Sequence, residues 1–151
     1  MYRGRNITIK SLKQGSLIRI KGKRPFDSHG VYHVFIVLNA DLSEDIELLL
    51  VNGTTKGKKR IDYYNKLKIP PSEHPLVFIE AGKYHFFSKD TWIDCNSISH
   101  LNLYKIDDCE IMPVKGRLED DDFQSIIRII AASKLISPHY KQMIGIDQSN
   151  H

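Results

Sequence analysis

The sequence predicts a strand-rich α+β domain that ends in an amphipathic helix. Short apolar runs, rich in β-branched and aromatic residues, lie between turn residues, which is typical of short antiparallel strands. Near the C-terminal end the period changes, and apolar residues recur at helical spacing at Phe123, Ile126, Ile127, Ile130 and Ala131. A length of 151 residues fits one domain, which can bury about two-thirds of the surface of the unfolded chain.

Three strands are predicted in the first half of the chain, over 16–21, 31–38 and 46–51. The second of them is a near-continuous apolar run, which favours a central strand buried on both faces. Pro25 and Gly30 mark a loop before this strand, and Asn52-Gly53 predicts a turn after the third strand. Residues 54–75 lack periodicity, so we expect a long basic loop there.

The second half is predicted to hold short strands and then the helix. A hairpin is expected around Ala81-Gly82, followed by two more strands; these segments are 76–80, 83–87, 91–94 and 97–104. Carboxylates at 119–122 suit the first turn of the helix, because they face the positive end of its dipole. Ser137-Pro138 predicts the start of a last helical turn that reaches about Ile144.

Composition points to a protein of the reducing cytoplasm. No apolar run approaches the ~20 residues that span a bilayer, and the basic first six residues lack the apolar core of a signal peptide. Cys95 and Cys109 are expected to be free buried thiols, although a single bridge between them is the alternative. We therefore expect cytoplasmic localisation and no association with a membrane.

The charge is unevenly distributed along the chain, although the net charge is only +4. Residues 1–24 hold eight Lys or Arg and no carboxylate, and residues 56–68 hold six more against one Asp. Residues 107–122 hold seven carboxylates. Clustered cations indicate a polyanionic partner such as RNA, and the alternative is a solvated basic surface.

Four segments, in order, resemble the MazF/PemK-like toxins, which are small bacterial ribonucleases. The most specific is Phe87 to Asn96, with the sequence FSKDTWIDCN, which is similar to a late strand of that family. Gly30 to Asn39, Val51 to Thr55, and Gly116 to Leu118 match earlier and later pieces. Together the four pieces cover roughly residues 15–135.

The resemblance implies a small strand-rich SH3-like antiparallel barrel with a C-terminal amphipathic helix. On this basis the chain would divide into a basic N-terminal arm, one barrel domain and a tail, over 1–14, 15–146 and 147–151. It also implies a toxin-type endoribonuclease that cleaves single-stranded RNA and inhibits growth. We expect a homodimer held inactive by an antitoxin, which could be a protein or an RNA.

The chemistry of such an enzyme needs no metal and no cofactor. The seven His are scattered and neither a zinc motif nor a phosphate-binding Gly-rich loop is present, so no metal site and no cofactor are predicted. Metal-free cleavage needs a base for the 2′-OH, a cation at the phosphate and an acid for the leaving oxygen. The residues proposed for catalysis are His33, Arg24, Thr54, Thr55 and His29.

His33 occupies the position of the family's catalytic Arg, and Thr54 and Thr55 match its Thr-Ser pair. A His at this position could act as acid or base, or it could mean that the original chemistry is lost. Structural roles are the alternatives: a histidine satisfied within a strand, and hydroxyls that cap a turn. Arg24 could supply the missing cation, and His29 is a second acid–base candidate.

Residues proposed to bind RNA surround these positions: Lys23, Lys56, Lys58, Lys59, Arg60, Tyr63 and Tyr64. The tyrosines would stack on unpaired bases. Trp92 is expected in the core or a dimer interface, and Asp94 and Cys95 are expected in a structural strand. Two other interpretations stay open: the same barrel without catalysis, binding RNA or a protein, and an unrelated small barrel. The catalytic interpretation requires His33, Arg24 and Thr54 to converge on one basic surface, and the two other interpretations do not.

Overall fold

The computed structural model describes residues 11–22, 33–43, 45, 47–104 and 109–147. This part of the chain confirms the α+β class. Its strands are β1 (Leu17–Gly22), β2 (Val34–Val37), β3 (Glu47–Thr54), β4 (Leu76–Ile79), β5 (Thr91–Asp94), β6 (Ser99–Asn102) and β7 (Cys109–Val114). Its α-helices are α1 (Gly57–Lys66), α2 (Asp120–Ala132) and α3 (Pro138–Ile144).

The seven strands form one antiparallel sheet in the order β4-β5-β3-β2-β1-β7, and β6 pairs with β3. The eight-residue β3 is long enough to pair with β6 along its first half and with β5 at its end. The described sheet is not closed, so the predicted SH3-like barrel is wrong. The outermost strands β4 and β7 each pair with one neighbour, and α2 packs against β4 instead of another strand.

Both faces of the sheet are apolar. Alternate residues of a strand point to opposite faces, and two separate clusters follow from this. One contains Leu17, Ile36 and Val51 and is covered by Ile126 and Ile130 of α2. The other contains Ile18, Ile20, Phe35, Val37, Leu48 and Leu50. All four residues of β2 are buried, which confirms the prediction of a central strand buried on both faces.

The predicted C-terminal helices are confirmed. Three aspartates lie in the first turn of α2, as expected from the helix dipole. Lys141 of α3 donates hydrogen bonds to the carbonyl oxygens of Ala131 and Ser133, at 3.1 and 2.6 Å, and so binds the C-terminal end of α2. Ser137 caps α3, because its hydroxyl accepts a hydrogen bond from the backbone N–H of Tyr140 at 3.2 Å.

The long loop predicted over 54–75 is wrong. Helix α1 occupies 57–66, and a 3-10 turn follows at 71–73. Only Gly57 and Tyr64 of α1 are buried. Because so few residues of α1 are buried, its sequence shows no apolar stripe. Helix α1 contacts the rest of the fold through polar as well as apolar groups.

The predicted turn at Asn52-Gly53 and the predicted strand over 83–87 are also wrong, whereas the turn at Ala81-Gly82 is present. Asn52-Gly53 lies inside β3, where Gly53 is needed because an added Cβ would lie 2.6 Å from Thr91 Cγ2. The predicted hairpin strand over 83–87 is reduced to one isolated bridge between Tyr84 and Phe87. Strand β4 pairs with β5 instead. No helix in the described ranges is both long and apolar enough to cross a bilayer.

Candidate nucleic-acid interface

His33 lies just before β2, and Thr54 is the last residue of β3. The pairing of these two antiparallel strands ends at Phe35 and Asn52. His33 is two residues before Phe35 and Thr54 is two residues after Asn52, so the same register, continued past the last pair, would bring them near each other. Both side chains are partly exposed.

Thr54 also links the sheet to α1. Its hydroxyl oxygen accepts a hydrogen bond from the backbone N–H of Lys56 at 3.1 Å, which turns the chain toward the helix. The turn-capping role that the sequence left open is therefore present. A threonine hydroxyl still has a proton to donate while it accepts, so this bond leaves it able to contact a phosphate oxygen.

The helix that starts three residues later is strongly basic. Six cations lie on α1 and its flanks: Lys56, Lys58, Lys59, Arg60, Lys66 and Lys68. Its first turn contains no carboxylate, and Lys56 at the N-cap makes no capping side-chain bond. The N-terminal end of a helix is itself positive, so lysines there add to a potential that attracts anions.

Helix α1 is held to β5 by Asp94. The carboxylate of Asp94 is 5% exposed, and both of its oxygens accept from the Tyr64 hydroxyl at 2.8 Å. Arg60 Nε donates to Asp94 Oδ2 at 2.7 Å, and the same guanidinium donates to Ser97 Oγ at 2.9 Å. A buried carboxylate is tolerated when it is paired and hydrogen-bonded in this way.

The same cluster shifts three pKa values. Burial, the hydrogen bond to Asp94 and its charge all raise the pKa of Tyr64, so its hydroxyl stays protonated. Burial acts against the charged form of Arg60, but the hydrogen bond and charge of Asp94 outweigh it and raise that pKa. Burial, with the charge of Asp94, raises the pKa of Cys95 to about 12. Cys95 is a free, buried thiol, as expected.

The close approach of Gly57 to Trp92 fixes the other end of α1. An added Cβ on Gly57 would lie 2.0 Å from Trp92 Cδ2, so only glycine fits. Trp92 is partly exposed and its ring lies 5.1 Å from that of Phe78, centre to centre. Trp92 therefore packs under the helix but lies outside the two buried clusters, so the predicted core position is not confirmed.

The predicted RNA-binding residues divide into exposed and buried groups. Thr55, Lys56, Lys58, Lys59 and Tyr63 are exposed. The guanidinium of Arg60 lies over the Tyr63 ring, 5.6 Å from its centre, so one arginine joins an exposed ring to the buried carboxylate. Tyr64, which was expected to stack on bases, is buried instead, with 3% of its surface exposed. Lys23, Arg24 and His29 lie outside the described residues.

Asp94 is the residue whose role was underestimated from sequence. Its signal was present, because it is the one acid within the otherwise uncharged run Thr91 to Cys95. A carboxylate at a buried strand position needs a cationic or donor partner, but the sequence does not reveal that the partners lie 30 and 34 residues earlier.

Tyr84 has a structural role at the start of α2. Its hydroxyl donates to Asp122 and accepts from the backbone N–H of Glu119 at 2.8 Å, which fixes the start of α2. Burial and the hydrogen bond to Asp122 raise its pKa to about 12. Lys83 Nζ lies 2.8 Å from the same Asp122 carboxylate.

The described residues hold no metal site, and the chain matches no known family. Within the described ranges, no three His, Cys, Asp or Glu side chains cluster closely enough to hold a metal ion. A scan against models of known protein families finds no match, and a search of curated proteins finds no significant relative. The resemblance to the MazF/PemK-like toxins therefore stays a prediction from the four sequence segments.

Proposed function

We propose that this protein is a toxin-type endoribonuclease that binds single-stranded RNA along α1 and cleaves it beside His33 and Thr54. The observation that supports this best is the basic helix α1, which begins three residues after Thr54. His33 and Thr54 are the positions that match the catalytic Arg and Thr of the MazF/PemK-like toxins. They are 21 residues apart in the sequence, and the register of β2 and β3, continued past Phe35 and Asn52, would bring them together.

The proposed reaction is transfer of the phosphate to the neighbouring 2′-oxygen. The 2′-OH loses its proton, its oxygen attacks phosphorus, and the bond to the 5′-oxygen breaks as that oxygen gains a proton. The products are a 2′,3′-cyclic phosphate and a 5′-hydroxyl. The imidazole of His33 acts as base or acid, because its ordinary pKa lies near neutrality.

Charge at the phosphate is offset by cations and hydroxyls. Thr54 donates its hydroxyl proton to a non-bridging phosphate oxygen, and Lys56 is the nearest exposed cation along the chain. Arg24 and His29 stay candidates for a second cation and a second acid–base group, because they belong to the segment directly before His33. In this proposal Arg24 and His29 take over the catalytic role that the Arg has in the family.

Binding of the RNA strand is assigned to α1. Its exposed lysines contact backbone phosphates, and Tyr63 stacks on an unpaired base, worth ~1–3 kcal/mol by analogy with other single-strand binders. Asp94 does not touch the RNA in this proposal. It positions Arg60 and, through Tyr64, the whole helix.

The test is cleavage of a single-stranded RNA of mixed sequence by the purified protein in EDTA. We expect products with 2′,3′-cyclic or 3′-phosphate ends, which end-labelling distinguishes from 3′-hydroxyl ends. Products with 3′-hydroxyl ends, or absence of cleavage at high protein concentration in EDTA and in magnesium alike, would refute the catalytic proposal.

A second candidate is the same protein as an RNA-binding module without catalysis. The observations that favour it are the His at the position of the family's Arg and the use of the Thr54 hydroxyl in the turn. Binding of RNA that depends on α1, together with no cleavage, is the result that would select this candidate.

Control of the proposed nuclease requires an inhibitor, because free activity would damage the RNA of its own cell. We propose an antitoxin, either a protein or an RNA, and a homodimeric, cytoplasmic enzyme. Within the described sheet, Phe78 of β4 is 50% exposed next to Trp92, so these two rings offer an apolar surface for dimerisation.

A further inference from the structure

An open groove of about 960 Å³ lies between the segment 69–76 and the C-terminal half of α2. Its size is that of clefts that hold a ligand or an extended segment, ~300–1,000 Å³. The apolar part of its lining comes from Ile69, Pro71, Pro75, Leu76, Ile129, Ala132 and Leu135. Leu135 is 80% exposed, so it extends the apolar surface to the rim.

The α2 wall of this groove is positively charged. Arg128 donates to the carbonyl oxygen of Gln124 at 3.4 Å and to Ser125 Oγ at 3.2 Å, which are neutral groups of its own helix. Among the described residues, neither Arg128 nor Lys134 forms an ion pair with a carboxylate. The groove's one carboxylate is that of Glu73 on the opposite wall. Two cations are therefore available to an incoming acid.

We infer that this groove docks an extended acidic and apolar peptide segment of a partner protein. Its apolar side chains lie between Leu76 and Ile129, and its carboxylates bind Arg128 and Lys134. Such a segment matches the apolar lining and the charge of the α2 wall together. None of the residues proposed to bind RNA lines this groove, and the inference does not depend on the proposed function.

RNA fits the groove less well. The single ring in the lining is His74, which is tilted against Tyr64 and bonded through Nε2 to the carbonyl oxygen of Ile69 at 2.9 Å. Single-stranded RNA is usually held by exposed aromatic rings and rows of cations. The lining offers two cations, Arg128 and Lys134, and not a row of them.

The experiment is a selection on the full-length protein with a displayed library of random dodecapeptides. Phage that also bind the Ala132→Trp variant are removed, because a tryptophan at 132 fills the groove. We expect the enriched peptides to combine apolar and acidic residues. The best of them is then synthesised with a fluorescein label, and its affinity is measured by anisotropy.

The charge-reversed double variant Arg128→Glu with Lys134→Glu should weaken the labelled peptide by about tenfold or more. Two controls should change its affinity by less than about twofold, because they lie outside the groove. One is Lys115→Glu, and the other is the double variant Lys58→Glu with Lys59→Glu. Thermal melting of each variant shows whether it is folded.

Three results would overturn the inference: no groove-dependent enrichment, enriched peptides that are basic, or equal affinity for the charge-reversed and wild-type proteins. A fourth is displacement of the peptide by oligo(U) whose own binding depends on Arg128 and Lys134, which would make the groove an RNA site. Failure of the nuclease proposal is distinguishable, because peptide binding would persist while RNA cleavage is absent.

Discussion

Arg60 of α1 binds the buried carboxylate of Asp94 on β5, with Nε donating to Oδ2 at 2.7 Å. The arginine side chain is 36% exposed and the aspartate side chain is 6% exposed. The cation therefore faces both the interior and the surface that also presents Tyr63. This ion pair connects the packing of α1 to the charge that α1 presents to a ligand.

Asp94→Asn should lower the free energy of unfolding by roughly 2 kcal/mol. A broken buried ion pair costs about 3–5 kcal/mol, and the partial exposure of Arg60 reduces this, since water can solvate the guanidinium. Urea unfolding measures the change. The matched control is Asp62→Asn on the exposed side of α1, which should change stability by less than about 0.5 kcal/mol. Equal stability of the two variants would mean that Asp94 does not hold the helix.

Cys95 should make stability fall at high pH. Its folded pKa is raised to about 12 from an ordinary value near 9. The thiol therefore contributes stability that is complete below pH 9 and is lost as the pH rises through that interval, because the unfolded state releases the proton first. The expected slope is about 1.4 kcal/mol per pH unit for one proton.

The check is urea unfolding of wild type and Cys95→Ala at pH 8 and pH 10.5. The wild type should lose about 2 kcal/mol more than the variant over this range. Tyr84, whose pKa is also raised to about 12, titrates in both proteins and cancels in the comparison. An equal loss of stability in the wild type and in Cys95→Ala would show that Cys95 does not cause the fall in stability at high pH.

Gly57→Ala should destabilise the protein by about 1–3 kcal/mol, because the added methyl group would overlap the Trp92 ring. Alanine favours a helix by about 1 kcal/mol over glycine, so a net loss of stability would show that the clash with Trp92 outweighs helix propensity. Urea unfolding measures it, with Lys59→Ala on the exposed face of α1 as control. A more stable Gly57→Ala variant would contradict the packing of α1 on Trp92.

Helices α1 and α2 show how far the sequence could predict this fold. Helix α2 was predictable because Ile126 and Ile130 fall on one buried stripe. Helix α1 was not, because Gly57 and Tyr64 are its only buried residues and its anchor is an ion pair with a strand 34 residues away. Strand β7 also went unpredicted, because it carries Pro113 and lies among charged residues.

The candidate site was predictable as a set of residues but not as a geometry. Resemblance suggested His33 and Thr54, but the register that aligns β2 with β3 next to them is not encoded in local sequence patterns. Open or closed sheets give the same alternating strands, so barrel closure could not be read from periodicity. The burial of Tyr64 depended on α1, and its stacking role was inferred without that helix.

Lys58→Ala combined with Lys59→Ala should weaken binding of single-stranded RNA and flatten its salt dependence. Each phosphate contact contributes a slope of about 0.7 in log affinity against log salt for single strands, so the loss should approach about 1.4. Fluorescence anisotropy with labelled oligo(U) at several salt concentrations measures it. Lys115→Ala removes an exposed charge outside α1 and should leave the slope unchanged. An unchanged slope in the α1 variant would mean that these lysines are only solvated.

His33→Ala should lower the rate of RNA cleavage by about 10²-fold or more, since a positioned acid–base group contributes roughly that much. Thr54→Ala should cost a lost hydrogen bond, ~1–2 kcal/mol in transition-state stabilisation, and Thr54→Ser should restore most of it. His139→Ala, an exposed histidine on α3, is the matched control. Single-turnover rates separate the chemical step from RNA binding, which both His variants should retain.

The pH dependence of that rate tests the role of His33 directly. If the imidazole transfers a proton, the wild-type profile should contain an inflection that His33→Ala lacks. A His33→Ala enzyme with the wild-type rate and an unchanged profile would remove His33 from the site. Thr54 and α1 would then be left to act with groups from the segment 23–32.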